Sequence, residues 1–193
     1  DAISFFVAGL IVYSMRHLDT NQVVEPEDRT SMITQLREGW HEVSSRRWIL
    51  ICVGAAAFVH MCFEGFLGVI APVQAKEALD GARSMGYMMS GFGAGGILGT
   101  IVAFRLRPRR QLLLAVGVMP LMSLWMFALA GPLPMLILIS CAFCAGVALD
   151  VMYANWMTTL HTHVPEESMS RVGAYDAFGS LAFAPVGLFF AGT

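Results

Sequence analysis

Residues 111–149 carry no charged side chain, and this run constrains the fold more than any other feature of the sequence. A helix crosses the hydrocarbon core of a bilayer in about 20 residues, so the run is too long for one crossing. Gly131-Pro132-Leu133-Pro134 lies within it, and two prolines this close interrupt helical hydrogen bonding. The run therefore predicts two consecutive membrane-spanning helices joined by a tight turn.

The composition of the whole chain indicates the same class of protein. Of the 193 residues, 56% are hydrophobic and 13% are charged, about half the usual charged share of a soluble protein. A soluble globule cannot cover that much apolar surface, so we expect a membrane protein surrounded by lipid. The net charge of -2 provides no basic field, so nucleic acid is not an expected partner.

Other charge-poor runs predict the remaining spans of an all-α, polytopic membrane helical bundle. Residues 2–15 are apolar but form a short run, so residues 1–15 are typical of the end of a transmembrane helix whose beginning is missing. The C-terminal transmembrane bundle is predicted over residues 48–193. Its spans are expected at about 48–73, 84–104, 111–130, 134–157 and 172–192.

Arginine is concentrated on one side of this predicted bundle. Loops 16–47, 105–110 and 158–171 contain most of the basic residues, whereas the opposite side has Lys76 and Arg83. Basic residues are enriched in the cytoplasmic loops of membrane proteins. We therefore expect the arginine-bearing loops to be cytoplasmic.

The longest of these loops, residues 16–47, contains a predicted amphipathic helix at 31–45. Thr30 or Ser31 can cap this helix, and apolar residues recur along one face with helical spacing. The residues of that face are Met32, Ile33, Leu36, Trp40 and Val43. We expect the helix either to lie along the membrane surface or to dock on the protein.

Polar and ionisable side chains within the predicted spans mark candidate functional positions. An ionisable residue at the centre of a membrane helix costs about 2.5–3.5 kcal/mol on insertion scales, so it should face a cavity or a partner. The candidates for a proton or substrate pathway are His60, Glu64, Asp150, Asn155 and Trp156. Glu64 is favoured for this role because, apart from His60, no basic residue is expected at its depth.

Asp150 and Asp176 have a second interpretation, as structural residues at the cytoplasmic rim. Each can pair there with Arg171 or Arg105, and such pairs form a gate or salt bridges. The residues of this predicted gate are Arg105, Arg107, Arg171 and Asp176. A carboxylate that loads and releases a proton is the alternative for both aspartates.

Glycines at four-residue spacing predict a close contact between helices. Gly91, Gly95 and Gly99 fall on one face of the span at 84–104, where the lack of side chains lets two backbones approach. His60 and Glu64 share a helix face, but no further ligand accompanies them, so no metal site is predicted.

The sequence also lacks the motifs of an enzyme. It has no nucleotide-binding loop, no nucleophile elbow and no zinc-protease motif. We therefore expect no enzymatic activity and no cofactor, with a proton gradient as the source of energy.

Two segments resemble the C-terminal half of a major facilitator superfamily transporter. Gly95-Gly-Ile-Leu-Gly99 followed by Arg105-Leu-Arg-Pro-Arg-Arg110 is similar to the second copy of that superfamily's loop motif. Residues 155–187 resemble the branch of macrolide-efflux and enterobactin-exporter-like proteins. The resemblance implies a chain that runs from the end of helix six through helix eleven and is truncated at both ends.

The resemblance also implies a function. It indicates a secondary active transporter that works by alternating access, with proton-coupled efflux of drugs or other amphiphilic small molecules across a bacterial plasma (inner) membrane. The helices at 48–73 and 134–157 would line the central cavity, and the missing N-terminal half would supply its other wall. A siderophore exporter of the same fold is one alternative, and a membrane sensor or scaffold without transport is another.

Overall fold

The computed structural model describes residues 2–14, 32–106 and 108–192. Within these residues the regular structure is helical and no strand is present, which confirms the predicted all-α class. The helices are α1 (Ala2–Ser14), α2 (Met32–Ser45), α3 (Arg47–Gly65), a π-helix (Phe66–Ile70), α4 (Ala71–Ala78), α5 (Ala82–Arg105), α6 (Gln111–Val118), α7 (Pro120–Leu129), α8 (Met135–His163), α9 (Glu166–Ala182) and α10 (Ala184–Ala191).

Five helical stretches within the described residues are long and apolar enough to cross a membrane. They are Arg47–Ala78, Ala82–Arg105, Gln111–Leu129, Met135–His163 and Ser168–Ala191. The shorter apolar helix α1 belongs to a separate compact unit, Asp1–Gln35, whereas these five stretches belong to the unit Leu36–Thr193. The predicted helical bundle of a membrane protein is therefore confirmed.

The helix α8 extends beyond the predicted span 134–157 and ends at His163. The predicted loop 158–171 is instead helical for most of its length, because only Val164 and Pro165 separate α8 from α9. Polar side chains in the last turns of α8 bond back to carbonyl oxygens four residues earlier, so the helix accommodates them. These side chains are Thr158, Thr159, Thr162 and His163, at 2.6–2.9 Å.

The first span of the bundle contains a short π-helix and continues past the predicted end at residue 73. The N–H of Ala71 donates to the carbonyl oxygen of Phe66, five residues earlier, as a π-helix requires. Pro72 follows directly, and in a regular α-helix its ring would clash with the carbonyl group of Gly68. The wider π turn avoids that clash and lets α4 continue the span to Ala78.

A row of glycines forms the crossing between α5 and α8. Gly91, Gly95 and Gly99 are buried against α8. A methyl group added at Gly95 would overlap the carbonyl oxygen of Phe143, so the two backbones touch directly. From the other side, Gly146 of α8 meets the backbone of α5. No layer of side chains separates the helices at these points, and this fixes the distance between them.

A second backbone contact joins α3 to α10, and sequence reasoning missed it. A methyl group at Gly187 would overlap the carbonyl oxygen of Met61, and one at Gly65 would come within 2.6 Å of the carbonyl oxygen of Gly187. Gly65 is buried and immediately precedes the π-helix. Single glycines in two different helices produce no periodic signal, so nothing in the sequence pattern pairs them.

An aromatic cluster belongs to the larger hydrophobic core. The rings of Phe63, Phe66, Phe92 and Trp125 lie with centroids 5.3–6.4 Å apart. Trp125 is fully buried, and its indole N–H has no hydrogen-bond partner among the residues that the structure describes. Apolar aromatic contact therefore dominates this part of the bundle.

The helix α2 docks on the bundle through its C-terminal turns. Trp40 is 52% exposed, and its ring centroid lies 5.9 Å from that of Tyr175 on α9. Val43 is buried in a second hydrophobic cluster, whose other buried members are Ile49, Leu160, Val164 and Val172. The remaining side chains of the predicted apolar face lie outside the described part of the structure, namely those of Met32, Ile33 and Leu36. The contacts of Trp40 and Val43 are those expected of a helix docked on the protein.

Candidate functional site

A cavity of about 440 Å³ opens between α3, α6, α8 and α9. Its walls are mostly apolar, and methionine and aliphatic side chains supply much of them. They include Ile51, Leu112, Met119, Met152 and Met157. Walls of this kind accept varied apolar ligands, because the flexible methionine side chain adapts its shape at little cost.

Polar side chains from three of these helices face the same cavity. The indole Nε1–H of Trp156 on α8 donates a hydrogen bond of 3.1 Å to Oδ2 of Asp176 on α9. His60 on α3 lines the cavity with them. The structure thus brings together an indole, a carboxylate and an imidazole that belong to three different helices.

The hydrogen bonding of His60 identifies which ring nitrogen carries its proton. Nδ1 lies 3.0 Å from the carbonyl oxygen of Ala56. Because a carbonyl oxygen only accepts, this hydrogen bond requires the proton of the imidazole on Nδ1, which leaves Nε2 free to accept a hydrogen bond from the cavity.

The predicted pathway residues do not form one group. Glu64 is half-buried on α3, outside the cavity that His60 lines. Asp150 lies in a separate cavity of about 290 Å³, with its carboxylate against Gly96 of α5. It forms no ion pair with a described residue. Asn155 is buried, and its Nδ2–H donates to the carbonyl oxygen of Val151 at 2.8 Å.

The predicted cytoplasmic gate has different partners from those expected. The carboxylate of Asp176 is held by the indole on α8, whereas Arg171 pairs with Glu38 of α2, with 3.2 Å between Nη1 and Oε2. In this structure Asp176 therefore forms no ion pair with Arg171 or Arg105. The two residues on α9 are five positions apart, which turns them about 140° from each other around the helix. Arg105 is exposed at the end of α5, and Arg107 lies outside the described residues.

The titratable groups around the cavity are too dispersed to form a metal site. Across residues 2–14, 32–106 and 108–192, no group of three or more histidine, cysteine, aspartate or glutamate side chains is placed to hold a metal ion. Cys52, which lines the cavity, is a free thiol. The side chains of the cavity offer hydrogen bonding and apolar contact.

Trp48 is a residue of this region that sequence reasoning missed. Its ring lies edge-on to that of Trp156, with 6.2 Å between centroids, and edge-on to that of His163 at 5.8 Å. It therefore supports from the α3 side the indole that holds Asp176. The available signal was its position at the start of a span, where tryptophan commonly marks the membrane interface.

An all-helical chain with several membrane-spanning stretches and a cavity between them has the architecture of a membrane transporter. The family model for the Major Facilitator Superfamily matches residues 1–187. The chain therefore belongs to the Major Facilitator Superfamily, a family of integral membrane transporters. No curated protein and no solved structure matches it.

Proposed function

We propose that the chain is the C-terminal half of a proton-coupled exporter of amphiphilic small molecules. We place this exporter in the macrolide-efflux and enterobactin-exporter-like branch and in a bacterial plasma membrane. The observation that carries the proposal is the carboxylate of Asp176, which faces a largely apolar cavity, accepts a hydrogen bond from Trp156 and shares the cavity with His60. A carboxylate between an apolar wall and an imidazole can exchange a proton as its surroundings change.

The composition of the walls supports an amphiphilic substrate over a siderophore. Methionine and aliphatic side chains surround the polar cluster on several sides. They give an apolar ligand surface to bind, with one polar cluster to orient it. A polar iron chelator needs more hydrogen-bonding groups than this cavity supplies.

The position of the cavity also supports transport by alternating access. In the family arrangement, the first helix of each three-helix repeat lines the central path, and here these helices are α3 and α8. His60 is on α3 and Trp156 is on α8. A movement of α3 relative to α8 would therefore alter the surroundings of Asp176, which couples the protonation of the carboxylate to the conformation.

The test is flux measured in sealed proteoliposomes that contain the longest natural polypeptide including this chain. A fluorescent amphiphilic cation serves as the probe, and a pH gradient is imposed across the vesicle membrane. For Asp176→Asn, we expect gradient-driven accumulation to fall by about tenfold or more, the usual size of coupling between two binding sites. Downhill equilibration of the probe is expected to persist.

Two other carboxylates serve as matched comparisons in the same assay. Asp150→Asn changes a carboxylate of a different cavity and is expected to leave gradient-driven accumulation unchanged. Glu64→Gln tests the residue that the sequence favoured. If Glu64→Gln abolishes accumulation and Asp176→Asn does not, Glu64 and not Asp176 is the carboxylate that carries the proton. If the unmodified protein carries no probe in either direction, the exporter proposal fails and a binding-only membrane sensor is favoured.

A further inference from the structure

A second and larger cavity, of about 850 Å³, lies where three spans end together. Trp48 at the start of α3, Gln111 at the start of α6 and His163 at the end of α8 all line it. Because α3 and α6 begin and α8 ends at these residues, we expect the cavity to open near the level where lipid headgroups meet acyl chains. This is the end of the bundle that the arginine count assigns to the cytoplasm.

The lining of this cavity changes from basic to apolar along α6. Arg109 and Arg110 lie just before the helix, and the first turns of the helix then contribute Leu112, Leu113 and Val116. Among the residues that the structure describes, no acidic side chain lines the cavity. One end therefore suits an anion, and the other suits a hydrocarbon chain.

The charge at the basic end comes from the arginines. Both are exposed, and the ion pairs found among the described residues, Glu42–Arg46 and Glu38–Arg171, do not use them. Thr162 donates its hydroxyl proton to its own helix, at 2.6 Å, so it cannot also donate to a ligand. The N-terminal end of α6 adds a partial positive charge at the same place.

We infer that this cavity binds the headgroup of an anionic glycerophospholipid. The phosphate lies between Arg109 and Arg110, and one acyl chain runs along Leu113 and Val116. A soluble anion would use the arginines but would leave the apolar half of the cavity empty. An uncharged lipid would fill the apolar half but would gain nothing from the arginines. Basic pockets between membrane helices recognise anionic headgroups in this way.

The test is lipid retention by the detergent-solubilised full-length chain, measured by native mass spectrometry. Phosphatidylglycerol is the probe, phosphatidylethanolamine is the zwitterionic comparison, and inorganic phosphate tests the headgroup alone. We expect one phosphatidylglycerol to remain bound. In the double variant Arg109→Gln/Arg110→Gln, the affinity for this lipid is expected to fall by about thirtyfold.

Two control variants distinguish specific binding of the lipid in this cavity from non-specific electrostatic attraction of the lipid to the protein. Lys76→Gln/Arg83→Gln removes the same number of positive charges at the other end of the spans and is expected to retain the lipid as the unmodified protein does. Thr162→Trp keeps every charge but adds an indole to the lining of the cavity and takes up space in it, so it is expected to lose the lipid. Equal loss in both double variants, retention by Thr162→Trp, or inorganic phosphate binding as tightly as phosphatidylglycerol would each overturn the inference.

Discussion

The two halves of α8 are packed in opposite ways. In the first half, Phe143 and Gly146 touch the backbone of α5 with no side chains between them. In the second half, Met152 and Trp156 line the cavity between α8 and α3, and side chains alone make the contact between the two helices, as where Trp48 meets Trp156. One helix is therefore in direct backbone contact with one neighbour and in contact with another through side chains alone.

The difference follows from the side chains at the two contacts. Glycine leaves no atom that can move aside, so the crossing of α5 and α8 permits one distance only. Methionine has several rotatable bonds and fills a changing space at little cost. The helices α3 and α10 also touch through their backbones, at Gly65 and Gly187. The bundle therefore contains two pairs of helices in backbone contact at glycines, α5 with α8 and α3 with α10. The cavity with Asp176 lies between a helix of one pair and a helix of the other.

Gly95→Ala should disrupt the backbone contact between α5 and the first half of α8, and it should produce the largest loss of folding stability. The added methyl group would overlap the carbonyl oxygen of Phe143, so α5 and α8 must separate. We expect a loss of about 3 kcal/mol of folding stability or more, measured as a lowered thermal unfolding midpoint in detergent. Gly93→Ala, in the same helix with no atom within 4 Å of the new methyl group, is the control and should cause no loss. Equal midpoints for the two variants would contradict the crossing.

Trp156→Phe changes the second half of α8 and should cause an intermediate loss of folding stability. The ring still fills the cavity wall, but Asp176 loses the N–H that donates to it. We expect a loss of about 1–2 kcal/mol, because a half-buried carboxylate is left without this donor. Trp40→Phe changes an exposed indole and is the comparison by thermal unfolding. A Trp156→Phe protein as stable as this comparison would show that the hydrogen bond contributes nothing.

Glu38→Gln should cause the smallest loss of folding stability. It provides the reference value against which the effects in the two halves of α8 are compared. It removes the ion pair between α2 and Arg171, whose two side chains are 46% and 42% exposed. Exposed pairs contribute below about 1 kcal/mol, so a small shift in the unfolding midpoint is expected, and added salt should reduce it further. A shift as large as that of Trp156→Phe would mean that α2 is an integral part of the bundle.

The fold was largely predictable because its signals are local. Charge-free runs located the spans, and the spacing of Gly91, Gly95 and Gly99 indicated a helix face made for close contact. The length of α8 was underestimated because Thr158 and Thr162 look like loop residues in a sequence, yet they satisfy their hydroxyl groups within the helix. Local pattern cannot reveal that a polar side chain is bonded back to its own backbone.

The candidate site was less predictable because it depends on contacts between helices. Trp156 and Asp176 are twenty residues apart and meet across two helices. Sequence proximity to Arg171 suggested an ion pair for Asp176, but helix rotation points the two side chains in different directions. Glu64 drew attention as an isolated carboxylate in a span, whereas the face of α3 that lines the cavity is set by how α3 packs.

The π-helix at Phe66–Ile70 also sets the rotation of the segment that follows it. A π turn contains one residue more than an α turn, so it is equivalent to the insertion of one residue into a regular helix. Deleting one residue there would return the segment to α-helical spacing, would bring back the clash of Pro72 that the π turn avoids, and would turn α4 by about 100°. Ala71 and Ala75, which are now buried, would then face away from the core. The burial of the end of the first span therefore depends on the number of residues between Gly65 and Ala71.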